Sequence, residues 1–573
     1  QANENDNNKN QSYPTIDGWV RDTYAKDSKA TLKNALSDPY VKAIKWASER
    51  IKNEGIVAFV TNNNFLDSIA FDGMREHLAK DFSKIYILDL KGNVRKDSMR
   101  DGIPIGEKHT IFGLSAMVGI SVTFLVKNNN KTDNCQIYYS TVDWKATRLE
   151  KFQIIKQAET YNGLEQQLLE PNKKYTWLTE GLHEEFDGFI PLGTKEAKAQ
   201  KGITEDVVFK TYSGGMMTGR DAWVYNFNRQ ALTENIQYTI DVYNEQAEKW
   251  IIRDDKEVNI DDFMLYDDKK ISWSSTLKKQ MKSGKLAQFT RDKIRSSSYR
   301  HFIKCYLYFD KVFVDRTGLF LNIFPTLATE VENRVIGCTN HSQVPFIVQM
   351  VSCIPDVAVG GRITQCFPFY TYNEDGSNRI ENITDWALNH WQQHYKDQTI
   401  TKWNIFYYTY GLLHHPQYRE KYAQNLKREL PRLPLTKKFW DISKAGQQLA
   451  ELHLNYEQAE PYPLEEIENP KYPYSLEVEK MRLSKDKTQL IYNNFLSLTG
   501  IPKQAFDYKL GNRSALEWVI DQYRVKTDKR SGIVNNPNRK DDEEYILQLI
   551  GKVITVSLET VAIVEKFEQD LTD

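Results

Sequence analysis

Cysteine is scarce. Cys135, Cys305, Cys338, Cys353 and Cys366 are all that stand in 573 residues. None lies at Cys-x-x-Cys spacing, so neither a zinc cluster nor a disulfide framework is implied, and reduced thiols are expected. A Gly-x-x-x-x-Gly-Lys-Ser/Thr phosphate loop is absent as well. No uninterrupted apolar run approaches the roughly 18 residues that span a bilayer, and the polar start QANENDNNKNQ has no signal-peptide core. No membrane association is expected, and the cytoplasm is the expected compartment. Net charge is missing too: 76 Lys and Arg against 77 Asp and Glu leave a formal charge of -1. That balance argues against an indiscriminate polyanion binder, while leaving local clusters free to neutralise phosphates.

What is present is a long chain with 40% hydrophobic residues, enough for two to four domains by the usual size range. From Tyr40 to Lys127 it reads as helix, buried strand, Asn-rich loop, helix, strand, Gly-rich segment, strand. Asp38-Pro39 supplies a cap and a first-turn proline, and Val41, Ile44, Ala47 and Ile51 then recur on one helical face. Ile56 to Val60 is continuously apolar, as expected of a parallel strand covered on both faces. Ile85 to Leu88 reads as a second strand, and the alternation of Val118, Ile120, Val122, Phe124 and Val126 as a third. This is the second half of a doubly wound α/β sheet, whose ligand would sit over the carboxyl ends of the strands. Asn62, Asn63 and Asn64 follow such an end. They line a cleft or merely form turns by bonding their own backbone. Gly92 to Gly113, with Arg95, Lys96, Arg100 and Lys108, reads as a mobile loop near DNA or as a solvated one.

GIVAFVTNNNFLD (Gly55 to Asp67), IYILDLKGNVRKD (Ile85 to Asp97) and HTIFGLSAMVGISVTFLVKN (His109 to Asn128) resemble the later motifs of an amino-methylating adenine DNA methyltransferase. The match is with the single-chain restriction-modification enzymes called Type ISP. GRDAWVYNFN (Gly219 to Asn228), ITDWALNHWQQHY (Ile383 to Tyr395) and FYYTYGLLHHPQYREKYAQNLKRELPRLP (Phe406 to Pro434) resemble the target-recognition portion of the same family. So do RLSKDKTQLIYN (Arg482 to Asn493) and GNRSALEWVIDQYRVKTDKRSGIVNNPNR (Gly511 to Arg539). Nearly the whole chain is covered.

The resemblance implies an α/β fold in which the second half of a SAM-dependent, Rossmann-like methyltransferase sheet precedes a mixed α+β target-recognition region with a helical C-terminal part. The boundaries expected are 1–130 for the half methyltransferase domain, 131–205 for a connector, 206–460 for the recognition domain and 461–573 for its mainly helical end. It implies S-adenosyl-L-methionine as cofactor, no metal, and duplex DNA as partner. The family's SAM-binding glycine loop and Asn/Asp-Pro-Pro-Tyr tetrapeptide do not occur; the family pattern would place the tetrapeptide just before Gln1. The catalytic residues are therefore expected outside this sequence, the chain is expected to bind no SAM and to be inactive alone, and helicase and nuclease parts would be supplied in cis or trans. An aromatic in the strand motif that VTFLVKN resembles stacks on the flipped adenine, which implies that role for Phe124. The alternative is a core phenylalanine alternating with Val122 and Val126.

Charge is unevenly spread. Seven acids fall between Asp254 and Asp268, whereas Lys278, Lys279, Lys282, Lys285, Arg291, Lys293, Arg295, Arg300 and Lys304 follow against Asp292 alone. The basic run reads as a DNA-binding segment or as a solvated face over a core. A second run, with Arg513, Lys529 and Arg530, surrounds a helix start at Ser514 that would suit a phosphate or would simply be a capped structural helix. His414 and His415 have no ligand partners at metal spacing and read as structural. Two functions remain open: a fragment of an adenine-N6 DNA methyltransferase that contributes the target-base wall and sequence recognition, or a non-catalytic DNA-binding specificity module acting with a partner chain.

Overall fold

The computed structural model describes residues 12–30, 33–94, 103–113, 116–128, 134–199, 206–339 and 345–567, together with 99–100; at 99–100 and 103–104 only the backbone is described. The chain divides into two compact units, Gln1–Leu182 and His183–Asp573.

In the first unit, helix α1 (Pro39–Arg50) begins on the expected proline. Strand β1 (Gly55–Asn62), helix α2 (Asp72–Asp81), strands β2 (Lys84–Asp89), β3 (Ile120–Lys127) and β4 (Gln136–Thr141), helix α3 (Arg148–Ala158) and strand β5 (Gln167–Leu169) follow. They build one five-stranded sheet in the order β1-β3-β2-β4-β5. The three strands expected from the sequence therefore lie side by side. Val41 and Ile44 of α1 and Met74 and Leu78 of α2 pack with Val57, Ile85, Ile87 and Leu125 on one face. On the other face Leu88, Leu90, Ile111 and Ile120 form a smaller core with Ile154 of α3 and Tyr161 against it.

Two expectations fail here. β1 is neither parallel to its neighbour nor covered on both faces. It is an edge strand, antiparallel to β3, with Ile56 opposite Val126, Ala58 opposite Phe124 and Val60 opposite Val122. Ile56 is 66% exposed and Val60 57% exposed. The parallel pairing lies between β2 and β4. An apolar run fixes which residues can be buried, but which face is covered depends on helices elsewhere in the chain. Second, β4 and β5 belong to the same sheet, so a boundary at 130 would cut it.

The second unit holds a four-stranded sheet of β6 (Tyr225–Asn226), β7 (Ile294–Arg300), β8 (Ile303–Tyr308) and β9 (Ile354–Pro355), in the order β6-β8-β7-β9. The 24-residue helix α4 (Arg229–Ile252) starts on Asn228, whose side chain accepts from the Ala231 N–H. Leu232, Ile236, Ile240 and Tyr243 of this helix enter the same core as Leu307 and Tyr308. Helices α5 (Lys402–Leu412) and α6 (Phe439–Leu454) cross at glycine. A Cβ on Gly411 would stand 2.3 Å from the Ile442 carbonyl oxygen, and one on Gly446 would stand 1.9 Å from that of Tyr407. No side chain fits at that crossing.

The stretch after 461 is not mainly helical. Glu465–Glu468, Arg482–Leu483, Gln489–Ile491 and Leu496–Thr499 form an antiparallel sheet. Helix α7 (Ala515–Gln522), the hairpin strands Lys526–Thr527 and Val534–Asn535, and helix α8 (Tyr545–Glu565) come after it. Buried and half-buried residues alternate at Leu496 to Thr499, a period of two that the proline-rich lead-in masks. By length and composition α8 could cross a membrane, contrary to the expectation from uninterrupted apolar runs, which Gln548, Lys552 and Glu559 break. Leu549, Ile550, Val553 and Ile554 are buried in the main core, so α8 is a core helix of this unit. All five thiols are free.

Candidate target-base cleft and nucleic-acid interface

The carboxyl ends of β1 and β2 point the same way, since each is antiparallel to β3. There the chain turns through Asn62, Asn63 and Asn64. The Asn62 side-chain oxygen accepts from the Asn64 N–H at 2.9 Å, a turn-forming bond, while its Nδ2 is buried with no partner among the described residues. Asn63 Nδ2 donates to Asp89 Oδ1 at 2.8 Å. Asp89 also accepts from the Lys91 ammonium at 2.7 Å and from the Tyr139 hydroxyl at 2.9 Å. Burial is the largest influence and would raise the Asp89 carboxyl, but the Lys91 charge and the hydrogen bonds from Lys91 and Asn63 together outweigh it and hold the group below the ordinary carboxylate range. The same burial and the same carboxylate push the Tyr139 phenol up to about 12. This buried ionic cluster was not read from the sequence. Asp89 and Lys91 are two residues apart at a strand end, a spacing that carries no signal until Asn63 and Tyr139 arrive from other strands.

Beside it runs the loop of His109 to Gly113. Lys151 of α3 donates to the His109 carbonyl and Arg148 to that of Thr110. Both cations sit in the first turn of a helix, where the dipole disfavours them; what they gain is the loop. Burial pulls the Lys151 ammonium down to about 8. Phe112, on this loop, is 53% exposed. Phe124, the aromatic expected to stack on a base, lies instead in mid-strand, half-buried, between Ala58 of β1 and Tyr86 of β2. It is away from the strand ends, and the structure does not bring it together with Asn62 to Asn64. Of the loop cations, Lys108 is exposed; Arg95, Lys96 and the side chain of Arg100 lie outside the described residues.

In the second unit the long basic run splits into two kinds of residue. Arg295 is buried, ion-paired with Glu330 and donating to the carbonyls of Phe324 and Pro325. Its remaining donor, Nε, is buried, so none of its N–H groups faces solvent. Lys278 is 2.5 Å from Asp261 and lies over the Tyr266 ring, so the acidic stretch folds back onto the basic one. Lys293 pairs with Asp310 and Lys304 with Glu457. Arg300 stacks on Tyr299 with 4.0 Å to the ring centre and pairs with Asp356 at 2.8 Å. Burial outweighs that arginine at Asp356, whose carboxyl rises to about 6. Lys279, Lys282, Lys285 and Arg291 are exposed, with no carboxylate partner among the described residues.

The second basic run is changed too. The start of α7 is closed by its own capping box: Ser514 accepts from the Glu517 N–H, and the Glu517 carboxylate accepts from the Ser514 N–H at 2.8 Å. With a carboxylate already there, this is a capped structural helix rather than a phosphate site. Arg513 pairs with Asp521 at 2.9 Å. Lys529 and Arg530 are exposed in the turn of the Lys526–Asn535 hairpin. That hairpin is tied to β6, for the Asn226 side chain donates to the Val534 carbonyl and the Phe227 N–H donates to the Asn535 side chain. His414 is buried and its Nδ1–H donates to the Tyr410 carbonyl, 2.9 Å away. Burial lowers it to about 3. Among the described residues no group of three His, Cys, Asp or Glu side chains is placed to hold a metal.

Compared with known proteins, residues 207–549 match the family model of the Type ISP C-terminal specificity domain. No curated protein matches. Among solved structures, the chain is similar to a nuclease-deletion mutant of the Type ISP restriction-modification enzyme LlaGI in complex with a DNA substrate mimic. The TM-score is 0.85 at 32% identity, over 99% of this chain and 43% of that one. It is also similar to the ATP-dependent Type ISP restriction-modification enzyme LlaBIII bound to DNA, with TM-score 0.86 and 31% identity over 99% of this chain and 36% of that one. A third similar structure is the DrdV–DNA complex, with TM-score 0.83 and 34% identity over 100% of this chain and 56% of that one. The chain thus spans between 36% and 56% of the length of these relatives.

Proposed function

The chain belongs to the Type ISP restriction-modification family, carrying its C-terminal specificity domain, and from that membership we propose a division of labour between its two units. The second unit reads duplex DNA sequence. The first is the rear wall of an adenine-N6 methyltransferase pocket, and the SAM-binding half pairs along the open edge of β1. The observation that supports this reading is the incomplete sheet itself. One edge and part of one apolar face are uncovered at Ile56 and Val60, while a buried polar cluster ties the carboxyl ends together and Phe112 stands exposed on the loop held by α3. A flipped base needs an aromatic that it can reach. Phe112, 53% exposed on its loop, is more open than Phe124, which is half-buried in mid-strand.

S-adenosyl-L-methionine would supply the methyl group. The residues that would grip it lie in the glycine loop and the Asn/Asp-Pro-Pro-Tyr segment, which this chain does not contain. What its own residues do is shape the wall: Asp89 and Lys91 fix the strand ends, Asn63 ties one turn to the other, and α3 holds the loop of Phe112. The chain acts on DNA in the cytoplasm.

The test is methyl transfer from labelled SAM to plasmid DNA. The isolated chain is expected to give none; the chain co-expressed with a segment carrying the two missing motifs is expected to methylate adenine. Phe112→Ala in that pair is expected to lower the rate by about tenfold, the value of one lost stacking contact, with Phe124→Ala showing no comparable loss. Methylation by the isolated chain would overturn the proposal. DNA binding by the pair without methylation would leave the specificity-module reading in its place.

A further inference from the structure

The two basic runs are far apart in sequence, yet parts of them meet in space, and the meeting point is Trp518. Its indole N–H donates to the Leu510 carbonyl, which fixes the ring. Arg513 lies over that ring with 5.2 Å to its centre. Gly361 is pressed against the ring's far edge, where a Cβ would come within 2.9 Å. With φ at 72° besides, Gly361 is a position that only glycine takes easily. The next residue, Arg362, is therefore delivered to this surface, exposed and with no side-chain partner among the described residues. Asp521 is shared by Arg513 at 2.9 Å and Arg524 at 3.5 Å, so one carboxylate answers two guanidinium groups. Lys526 stands beside both Arg524 and Arg300. Burial and the repulsion of these two arginines lower its proton affinity. Arg300 has Asp356 as its own partner.

Several cations drawn from separate stretches are thus held close with too few carboxylates among them. Gathering like charges costs free energy in the free protein, a cost that an anion would remove. On helix Ser275–Lys282, Lys278 is neutralised by Asp261 of the acidic stretch, and Lys279 and Lys282 are single exposed lysines on that helix, not gathered with other cations.

We infer that the phosphate-contacting surface of the second unit is centred on Trp518 and formed by Arg362, Arg513, Arg524 and Lys526, and that the lysines of helix Ser275–Lys282 lie outside it. The partner is the sugar–phosphate backbone of duplex DNA. The inference rests on the proposed reading of this unit as a DNA-recognition domain. Guanidinium groups grip phosphate oxygens in a fork, and each neutralised phosphate releases counterions, so the arrangement has a measurable signature.

That signature is the slope of log affinity against log salt, measured with the full chain and a mixed-sequence duplex. The variant Arg362→Gln/Arg524→Gln/Lys526→Gln is expected to flatten the slope by about 3 and Lys279→Gln/Lys282→Gln/Lys285→Gln to leave it unchanged, at about one per lost phosphate contact. Arg362→Gln alone removes a side chain that bonds nothing among the described residues. It is expected to flatten the slope by about 1, which keeps the test decisive if the triple variant unfolds. A slope unaltered by Arg362→Gln and by the folded triple variant, or one flattened by the lysine variant, would overturn the inference while leaving DNA recognition intact. Absence of salt-dependent binding by the unaltered chain would overturn the reading of the unit itself.

Discussion

The two units solve the burial problem differently. In the first, a single sheet is covered fully by helices on one face and only partly on the other, so that Ile56 and Val60 remain in water. In the second, the sheets and helices close around large continuous cores in which tyrosines, histidines and arginines are buried beside aliphatic residues. The open face leaves apolar side chains in solvent. The closed cores are where ionisable groups meet the penalty of burial.

The largest expected expression of that contrast is acid sensitivity. His301 and His414 are depressed to about 3 by burial, and burial also drives His453 well below its ordinary value. Because the folded-state values lie below the unfolded one, their contribution is complete above about pH 6.5. It is lost as pH falls towards the folded values, at about 1.4 kcal/mol per pH unit for each group. His301 and His414 are therefore expected to cost the second unit roughly 4 kcal/mol by about pH 5, and His453 acts in the same direction. Hydrogen exchange at falling pH would measure it; earlier loss of protection in residues 39–169 would break the comparison.

Next in size is the buried ion pair of the second unit. Arg295→Met leaves Glu330 without its partner and is expected to destabilise that unit by about 3–5 kcal/mol in chemical denaturation. The salt slope of DNA binding should stay as it is, since Arg295 faces the interior. A flattened slope in the folded variant would return Arg295 to the DNA surface.

The smallest effect sharpens the contrast most. Val60→Thr, on the open face, is expected to shift stability by no more than about 0.5 kcal/mol. Val335→Thr, fully buried in the main core of the second unit, is expected to cost about 1–3 kcal/mol for its unpaired hydroxyl. Equal costs at the two positions would mean that the face at Val60 is covered in solution.

Much of this was legible in the residues. The apolar runs at Ile56, Ile85 and Val122 identify strands, and Asp38-Pro39 identifies the start of a helix, because these depend on neighbours along the chain. The role assigned to Phe124 could not be tested that way. A period of two shows that a residue faces one side of a sheet, but not whether it lies in the middle or at the end, nor what covers it. The basic run from Lys278 to Lys304 shows the same limit. Arg295 and Arg291 look alike as letters, yet one is sealed beside Glu330 and the other is in solvent.

The sequence by itself determined the local elements and the family, since periodicity, capping and long motifs are all properties of consecutive residues. Only the tertiary structure decided which charges are available, which aromatic stands in solvent and which sheet face stays open. Those are differences in burial and proximity between residues scores of positions apart. In a low-dielectric interior a partner a few ångströms away changes a charged group more than anything written beside it in the chain.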